Sequence, residues 1–417
     1  MRTVDSGFHS VLAGLLVASL VPVSTAISAA DAPPEAQAWI DVATFSGMGM
    51  PMGAAAGRPG LGALFGGGAA GNSFGNTSGM SAGRWVDVTL RARSNPALDE
   101  AQQAVPAGFL GAALELRAPR DAQPARDDDE VRVEEPERPR GRVLLYWGCG
   151  PAVRPGQPRI LDMATAAPAD LAKFFVGRSA TRRGAHSAAG RPVWPNPADT
   201  RMVPEQASLV GEHAFAGKGV PAGFRFQVPA AQDLMPALRI EQEVRDGATD
   251  LRWNAIPAAR AFFVAAMGGK GREDMVIWTS SELADTGFGL VDYQPNAAID
   301  RWLKEKVLMP PVTTNCTVPK AVFGEEGAML RLIAYGDELN LAHPPRPKDP
   351  KAKWEPVWAV KLRVKSVGHA FLGVNDAERP RARPQGVETQ GRARENESPD
   401  GQPLQKPLEL LRGIFGR

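Results

Sequence analysis

The chain has 417 residues, 43% of them hydrophobic, and a formal net charge of +2 from 48 Lys plus Arg against 46 Asp plus Glu. That length suits two or three domains with a real core. The balanced charge excludes the broad basic surface expected of a duplex nucleic-acid binder.

Residues 1–30 read as a cleavable secretory signal peptide. Arg2 and Asp5 lie in a short mixed n-region, Val11 to Val23 is uncharged and apolar, and Ser28-Ala29-Ala30 fits a cleavage site before Asp31. An apolar helix of that length spans only about 20 Å, short of the roughly 30 Å hydrocarbon core, so a membrane anchor is the weaker reading. No cysteine follows the stretch for lipid attachment and no twin arginine precedes it. No later segment approaches a transmembrane span. The expected location is the bacterial envelope, periplasmic or secreted.

The mature chain opens with a β-rich region, 31–117. Trp39-Ile40-Asp41-Val42-Ala43 predicts a strand, and Trp85-Val86-Asp87-Val88-Thr89-Leu90 predicts a second that echoes its start. Alternation puts Val86, Val88 and Leu90 on one face. Between them, 46–83 is a Gly/Met-rich tract that reads as loop, because glycine raises the entropic cost of ordering. Residues 118–142 are charged and proline-bearing, a linker or exposed insertion. A middle β-rich domain, 143–235, starts at Val143-Leu144-Leu145-Tyr146-Trp147, a run suited to a strand buried on both faces. Phe224, Phe226 and Val228 alternate with polar residues as in a half-buried strand.

Residues 236–374 carry further strand patterns at Arg239–Val244, Leu251–Trp253, Ala261–Met267, Met275–Thr279, Ala328–Tyr335 and Val357–Val367. In the last, Trp358, Val360, Leu362 and Val364 face one way, and Lys361, Arg363 and Lys365 the other. A helical insertion spans 296–307, where Ile299, Trp302 and Leu303 form an apolar stripe after Pro295. Residues 375–417 read as a disordered tail with a short amphipathic C-terminus bearing Leu408, Leu411 and Phe415. The fold class expected is mainly β, with antiparallel sandwich-like domains, a few short helices and long low-complexity segments.

Leu251-Arg252-Trp253-Asn254-Ala255-Ile256-Pro257-Ala258-Ala259-Arg260-Ala261-Phe262-Phe263-Val264 resembles the early strands of fibronectin type III modules. Those place a core tryptophan before a short turn and an aromatic-led strand. Ala328–Tyr335 is similar to the family's penultimate strand. The resemblance covers at most 236–368 and departs from the family at the helix near 296–307. It implies a binding or spacer unit without residues that carry chemistry.

The chemical candidates are sparse. Gly71-Asn72-Ser73-Phe74-Gly75 matches G-x-S-x-G but lacks the strand before and the helix after that would lift the serine. Gly47-Met48-Gly49 and Gly60-Leu61-Gly62 lie outside any βαβ unit, and Gly268-Gly269-Lys270-Gly271 reads as a hairpin turn rather than a P-loop. His186, His213, His343 and His369 show no metal-ligand spacing. Cys149 with His213 is the least implausible nucleophile and base, against a structural cysteine ending a buried strand. Cys149 and Cys316 can form one disulfide, worth about 5 kcal/mol in the chain-entropy model, or remain two buried thiols; spacing leaves both open. Trp147, Trp194, Trp253, Trp278, Trp302, Trp354 and Trp358 read as core packing rather than a glycan or peptide platform. Met48, Met50 and Met52 read as adaptable loop side chains rather than copper(I) ligands.

These features point to an exported cell-envelope protein that is a non-enzymatic binding or structural module, with an envelope protein or glycan as partner and no cofactor, metal or nucleic acid. The rival is an exported hydrolase whose site assembles only in three dimensions.

Overall fold

A computed structural model of the chain describes residues 32–47, 72–120, 141–175, 177–178, 184–271, 274–349 and 352–373. The expected signal peptide, most of the Gly/Met-rich tract with Met48, Met50, Met52 and Gly60–Gly62, the core of the 118–142 segment and the 375–417 tail lie outside these residues.

Strands β1 (Ala36–Ser46), β2 (Gly83–Ala92), β3 (Glu100–Ala104), β4 (Ala113–Arg117), β5 (Arg142–Trp147) and β6 (Arg159–Asp162) come first. After helix α1 (Pro168–Phe174) come β7 (Val193–Trp194), β8 (Gly211–Gly217) and β9 (Arg225–Val228). Then follow β10 (Ile240–Arg245), β11 (Ala248–Trp253), β12 (Ala261–Lys270), β13 (Asp274–Thr279) and helix α2 (Asn296–Lys304). The chain ends in β14 (Asn315–Val318), β15 (Ala328–Tyr335), β16 (Leu339–His343) and β17 (Trp358–Leu372).

Among the described residues the strands form two sheets. The larger has fourteen, ordered β6-β5-β13-β12-β15-β17-β1-β2-β7-β4-β3-β8-β9, with β16 also paired to β17; the smaller is β10-β11-β14. The chain is thus mainly β with two short helices. The expected antiparallel sandwiches are corrected: the large sheet is mixed, only the small one is wholly antiparallel, and they do not form closed sandwiches. β1 runs parallel to β17, and β5 parallel to β13. Hydrophobic alternation is the same for a strand read in either direction, so the pattern carried no information on this point.

The pairings also cross the segment boundaries expected from sequence. β1 bonds to β17 over the register Ala36↔Trp358 to Ser46↔Gly368, and β5 bonds to β13. Within the segment that resembles fibronectin type III, Leu251–Trp253 lies in the small sheet while Ala261 onward and Ala328–Tyr335 are adjacent strands of the large one.

The central strands of the large sheet, β1, β2, β12, β15 and β17, are buried on both faces, whereas β3, β4 and β9 keep one exposed side. On the first face, Ile40, Val42, Val88, Leu90, Leu332, Leu362 and Val364 share one core with Leu251, Trp253 and Val318 of the small sheet. Phe215, Phe224 and Phe226 join the same core from the far end of the sheet order. Phe224 stacks on Trp358 with ring centroids 5.0 Å apart. The sheet therefore curls back over itself, as strong right-handed twist permits, while β6 and β9 remain its unjoined ends. On the second face, Phe45, Phe263, Ile333 and Val367 pack under Ile299 and Trp302 of α2. Val143, Leu145 and Ile277 pack with Phe174 of α1.

Replacing Phe224 by Ala deletes the ring that joins the curl to β17. The expected loss is about 3–5 kcal/mol, read from the shift of a denaturant unfolding midpoint. A loss below about 1 kcal/mol would show that the curl does not depend on this stack.

Candidate functional site

The polar residues that stand out are in the middle of the second face, where the sheet pattern turns from apolar to charged. β1 and β2 carry the echoed sequences Trp39-Ile40-Asp41-Val42 and Trp85-Val86-Asp87-Val88. Their antiparallel register sets Asp41 directly opposite Asp87. Both are buried, at 3% and 2% exposure. The parallel neighbour β17 sets Arg363 beside Asp41.

Arg363 and Asp41 form a two-pronged ion pair. Arg363 Nε donates to Asp41 Oδ1 at 2.7 Å and Nη2 to Oδ2 at 2.6 Å. Oδ2 also accepts the Ala185 amide at 3.0 Å. Burial works against the guanidinium charge, but Asp41 outweighs it and holds the Arg363 pKa above its usual range. Lys365, two residues along the same face, donates through Nζ to Asp292 at 2.7 Å. Burial alone would raise the Asp292 pKa; Lys365 and Arg363 overcome it and bring the carboxyl to about 2. The Tyr293 ring lies under both cations, 4.3 Å from the Arg363 guanidinium carbon and 4.1 Å from Lys365 Nζ, as cation–π contacts favour.

Asp87 is held differently. Oδ1 accepts the Gly75 amide at 3.0 Å; Oδ2 accepts the Thr77 amide at 3.2 Å and the Thr77 hydroxyl. Burial raises its pKa most, these donors pull it back, and Asp41 opposite raises it again, leaving it at about 7. Two short segments thus cover the carboxylate pair: Gly75–Thr77 over Asp87 and Gly184–His186 over Asp41 and Thr89. A Cβ at Gly184 would collide with Arg363 Nη2 and Asp41 Oδ2, so only glycine fits there. The His186 amide donates to Thr89 Oγ1 at 3.0 Å, and His186 Nδ1 lies 2.7 Å from Gly184 O. Arg191 donates to Nε2, which places the ring proton on Nδ1.

His369 faces the same region from the end of β17. Burial lowers its pKa most, with Arg331 and Lys365 adding to the effect, to about 3. Its ring stacks on Phe45 at 6.2 Å.

The candidates read from sequence are placed as follows. Cys149 and Cys316 are joined in a disulfide with Cα atoms 5.3 Å apart. His213 is fully buried on β8, with Gln103 Nε2 3.0 Å from Nδ1 and Leu209 O 2.7 Å from Nε2. Burial lowers its pKa. Neither is free to act as a nucleophile–base pair. Ser73 precedes the 3-10 turn Asn76–Ser78 and bonds Asn76 Oδ1 at 3.4 Å; no strand lifts it. Gly268–Gly271 falls at the β12–β13 hairpin. Trp194, Trp253, Trp278, Trp302 and Trp358 are in the core, Trp147 is half-buried, and Trp354 lies half-exposed beneath Arg346. Among the described residues no group of three or more His, Cys, Asp or Glu side chains is placed to hold a metal. No described helix is long and apolar enough to cross a membrane. A polar surface hollow lined by Glu115, Arg117, Asp199 and Arg201 lies apart from the carboxylate pair. Its Arg201 guanidinium is bound to Asp199 through Nε at 2.7 Å and Nη2 at 2.5 Å.

The Asp41–Asp87–Arg363–Lys365 group was not singled out from sequence. Its signal was the Trp-x-Asp-Val echo combined with cations at alternate positions of β17. No family model matches the chain, and a search of curated proteins returns no match.

Arg363→Met would leave Asp41 buried without its cation and is expected to cost about 3–5 kcal/mol in denaturant unfolding. Asp41→Asn combined with Arg363→Met should recover part of that loss, because no charge is then stranded. Equal losses in the single and double variants would show that the pair is not what the fold depends on at this point.

Proposed function

We propose that the chain is an exported cell-envelope protein that works as a non-enzymatic binding or structural module, its ordered body held by one internal disulfide. The observation that carries this reading is the Cys149–Cys316 bond, which ties the end of β5 to β14 across a sequence separation of 167. Disulfides persist in oxidising compartments such as the periplasm. The leader-like residues 1–30 offer the route there.

The non-enzymatic part rests on how the reactive groups are spent. Cys149 has no thiol, His213 is enclosed by Gln103 and Leu209, and Asp41 and Asp292 are committed to Arg363 and Lys365. The likeness of 251–264 to fibronectin type III strands supports a binding or spacer role, with an envelope protein or glycan as the partner class. A second reading, an exported hydrolase, has one observation in its favour: the cross-strand carboxylates Asp41 and Asp87. To act on a substrate they would have to be uncovered.

Two measurements on the protein recovered from cells test the proposal. Intact-mass analysis of the periplasmic or secreted fraction should give Asp31 as the first residue. Iodoacetamide should label neither cysteine until reductant is added, and the Cys149→Ser/Cys316→Ser variant should lose on the order of 5 kcal/mol of stability. A reduced, labelled Cys149 in cytosolic protein that keeps its first thirty residues would overturn the reading. Hydrolysis of ester, peptide or glycoside probes, abolished by Asp87→Asn, would move the hydrolase to first place.

A further inference from the structure

Among the described carboxylates over the β1, β2 and β17 part of the second face, Asp87 lacks a cation. Asp41 has Arg363 and Asp292 has Lys365. Asp87 meets only neutral donors among the described residues: two backbone amides and one hydroxyl, all from Gly75 and Thr77. The charged and titratable groups around it are Asp41 directly across on β1, Arg363 on the far side of Asp41, Tyr293 with Asp292 and Lys365 beyond, and His186 with its partner Arg191 over Thr89 and Trp39. A carboxylate removed from water and facing a second fixed negative charge favours its protonated form; the three donors offset this only in part.

We propose that Asp87 is a proton-operated latch for residues 72–78: with the proton bound the segment lies closed on the sheet, and ionisation drives it off the face so that water reaches the carboxylate. The segment is the element able to yield. Besides Asp87 it is tied by Asn72, whose amide donates to Thr200 O at 3.1 Å and whose Nδ2 donates to Arg201 O at 3.1 Å. Gly75 supplies a left-handed turn at φ 98° and Gly79 ends the 3-10 turn, so the backbone can swing at both. Moving β1 or β2 instead would break both cores. Opening would uncover Asp87 and part of the face around Trp85.

The sign follows from linkage. Closed, Asp87 binds its proton with a pKa of about 7. Open and hydrated, it returns to the usual carboxylate range near about 4. The closed state is therefore fully favoured below about pH 4. Its advantage falls through the window between about 4 and about 7, and then levels off. Within that window the opening constant should rise on the order of tenfold per pH unit.

The test uses the full purified protein and amide hydrogen exchange at Gly75, Thr77 and Gly79, corrected for the intrinsic pH dependence of exchange. Protection in the natural protein is expected to fall about tenfold per unit up to about pH 7 and to be flat above it. Asp87→Asn should abolish the slope. Thr77→Val, which removes one donor and keeps the carboxyl, should retain it. An infrared band of a protonated buried carboxylic acid should be present near about pH 5, gone by about pH 8.5, and missing from Asp87→Asn. A flat profile in the natural protein, the same slope in Asp87→Asn, or no acid band near about pH 5 would each overturn the latch.

Discussion

The central strands of this protein are covered on both faces, and that constraint governs what their side chains can be. A strand with one wet face can carry charge there at little cost. On β1, β2, β15 and β17 no such face exists. Arg363 and Lys365 are 6% and 1% exposed. Each must find an opposite charge or an aromatic face nearby, because an unpaired buried ion costs several kcal/mol. The parallel register of β1 with β17 and the antiparallel register of β1 with β2 bring Arg363, Asp41 and Asp87 into one row. A slip of one residue in either pairing would send these groups into the apolar first core.

This row borders the helix-roofed part of the second face. On the β15 side of β17 the face is apolar, roofed by α2 over β12 and β15 and, farther along, by α1 over β13 and β5. Over β1 and β2 the roof is made of short irregular segments, held by carboxylates that accept backbone amides from Gly75, Thr77 and Ala185. Helices bury their own backbone groups, whereas these segments depend on side chains of the sheet to satisfy theirs. Such a roof has a lower local cost of opening than a packed helix, which makes the middle of this face the place where charge state and exposure are coupled.

The disulfide acts on a different part of the molecule. Gly150 donates to Thr317 O at 2.9 Å, and Trp278 Nε1 donates to Gly148 O at 3.1 Å, so the turn after β5 is already seated between the large sheet and β14. The covalent bond closes that seat. It fastens the three-stranded sheet over the first core, which the small sheet shares with Phe262 and Val264. The same geometry that makes Cys149 a staple removes it from nucleophilic chemistry.

Much of the element list was legible in the chain. The patterns at Trp39–Ala43, Trp85–Leu90, Val143–Trp147, Ala328–Tyr335 and Val357–Val367 fall within or across β1, β2, β5, β15 and β17, and the stripe after Pro295 is α2. Period-2 and period-3.6 burial leave a local imprint, and local imprints survive in a sequence. β3, β4, β6, β14 and α1 did not, because they are short and their apolar residues few: β6, for instance, buries only Leu161. The alternation of β17 correctly split Leu362 and Val364 from Arg363 and Lys365, but could not tell that the charged side was roofed as well. Strand direction, the Cys149–Cys316 meeting and the Asp41–Asp87–Arg363 row were decided only in the tertiary structure. Each depends on which segments become neighbours across long stretches of chain, and a residue's own neighbours in sequence hold no record of that.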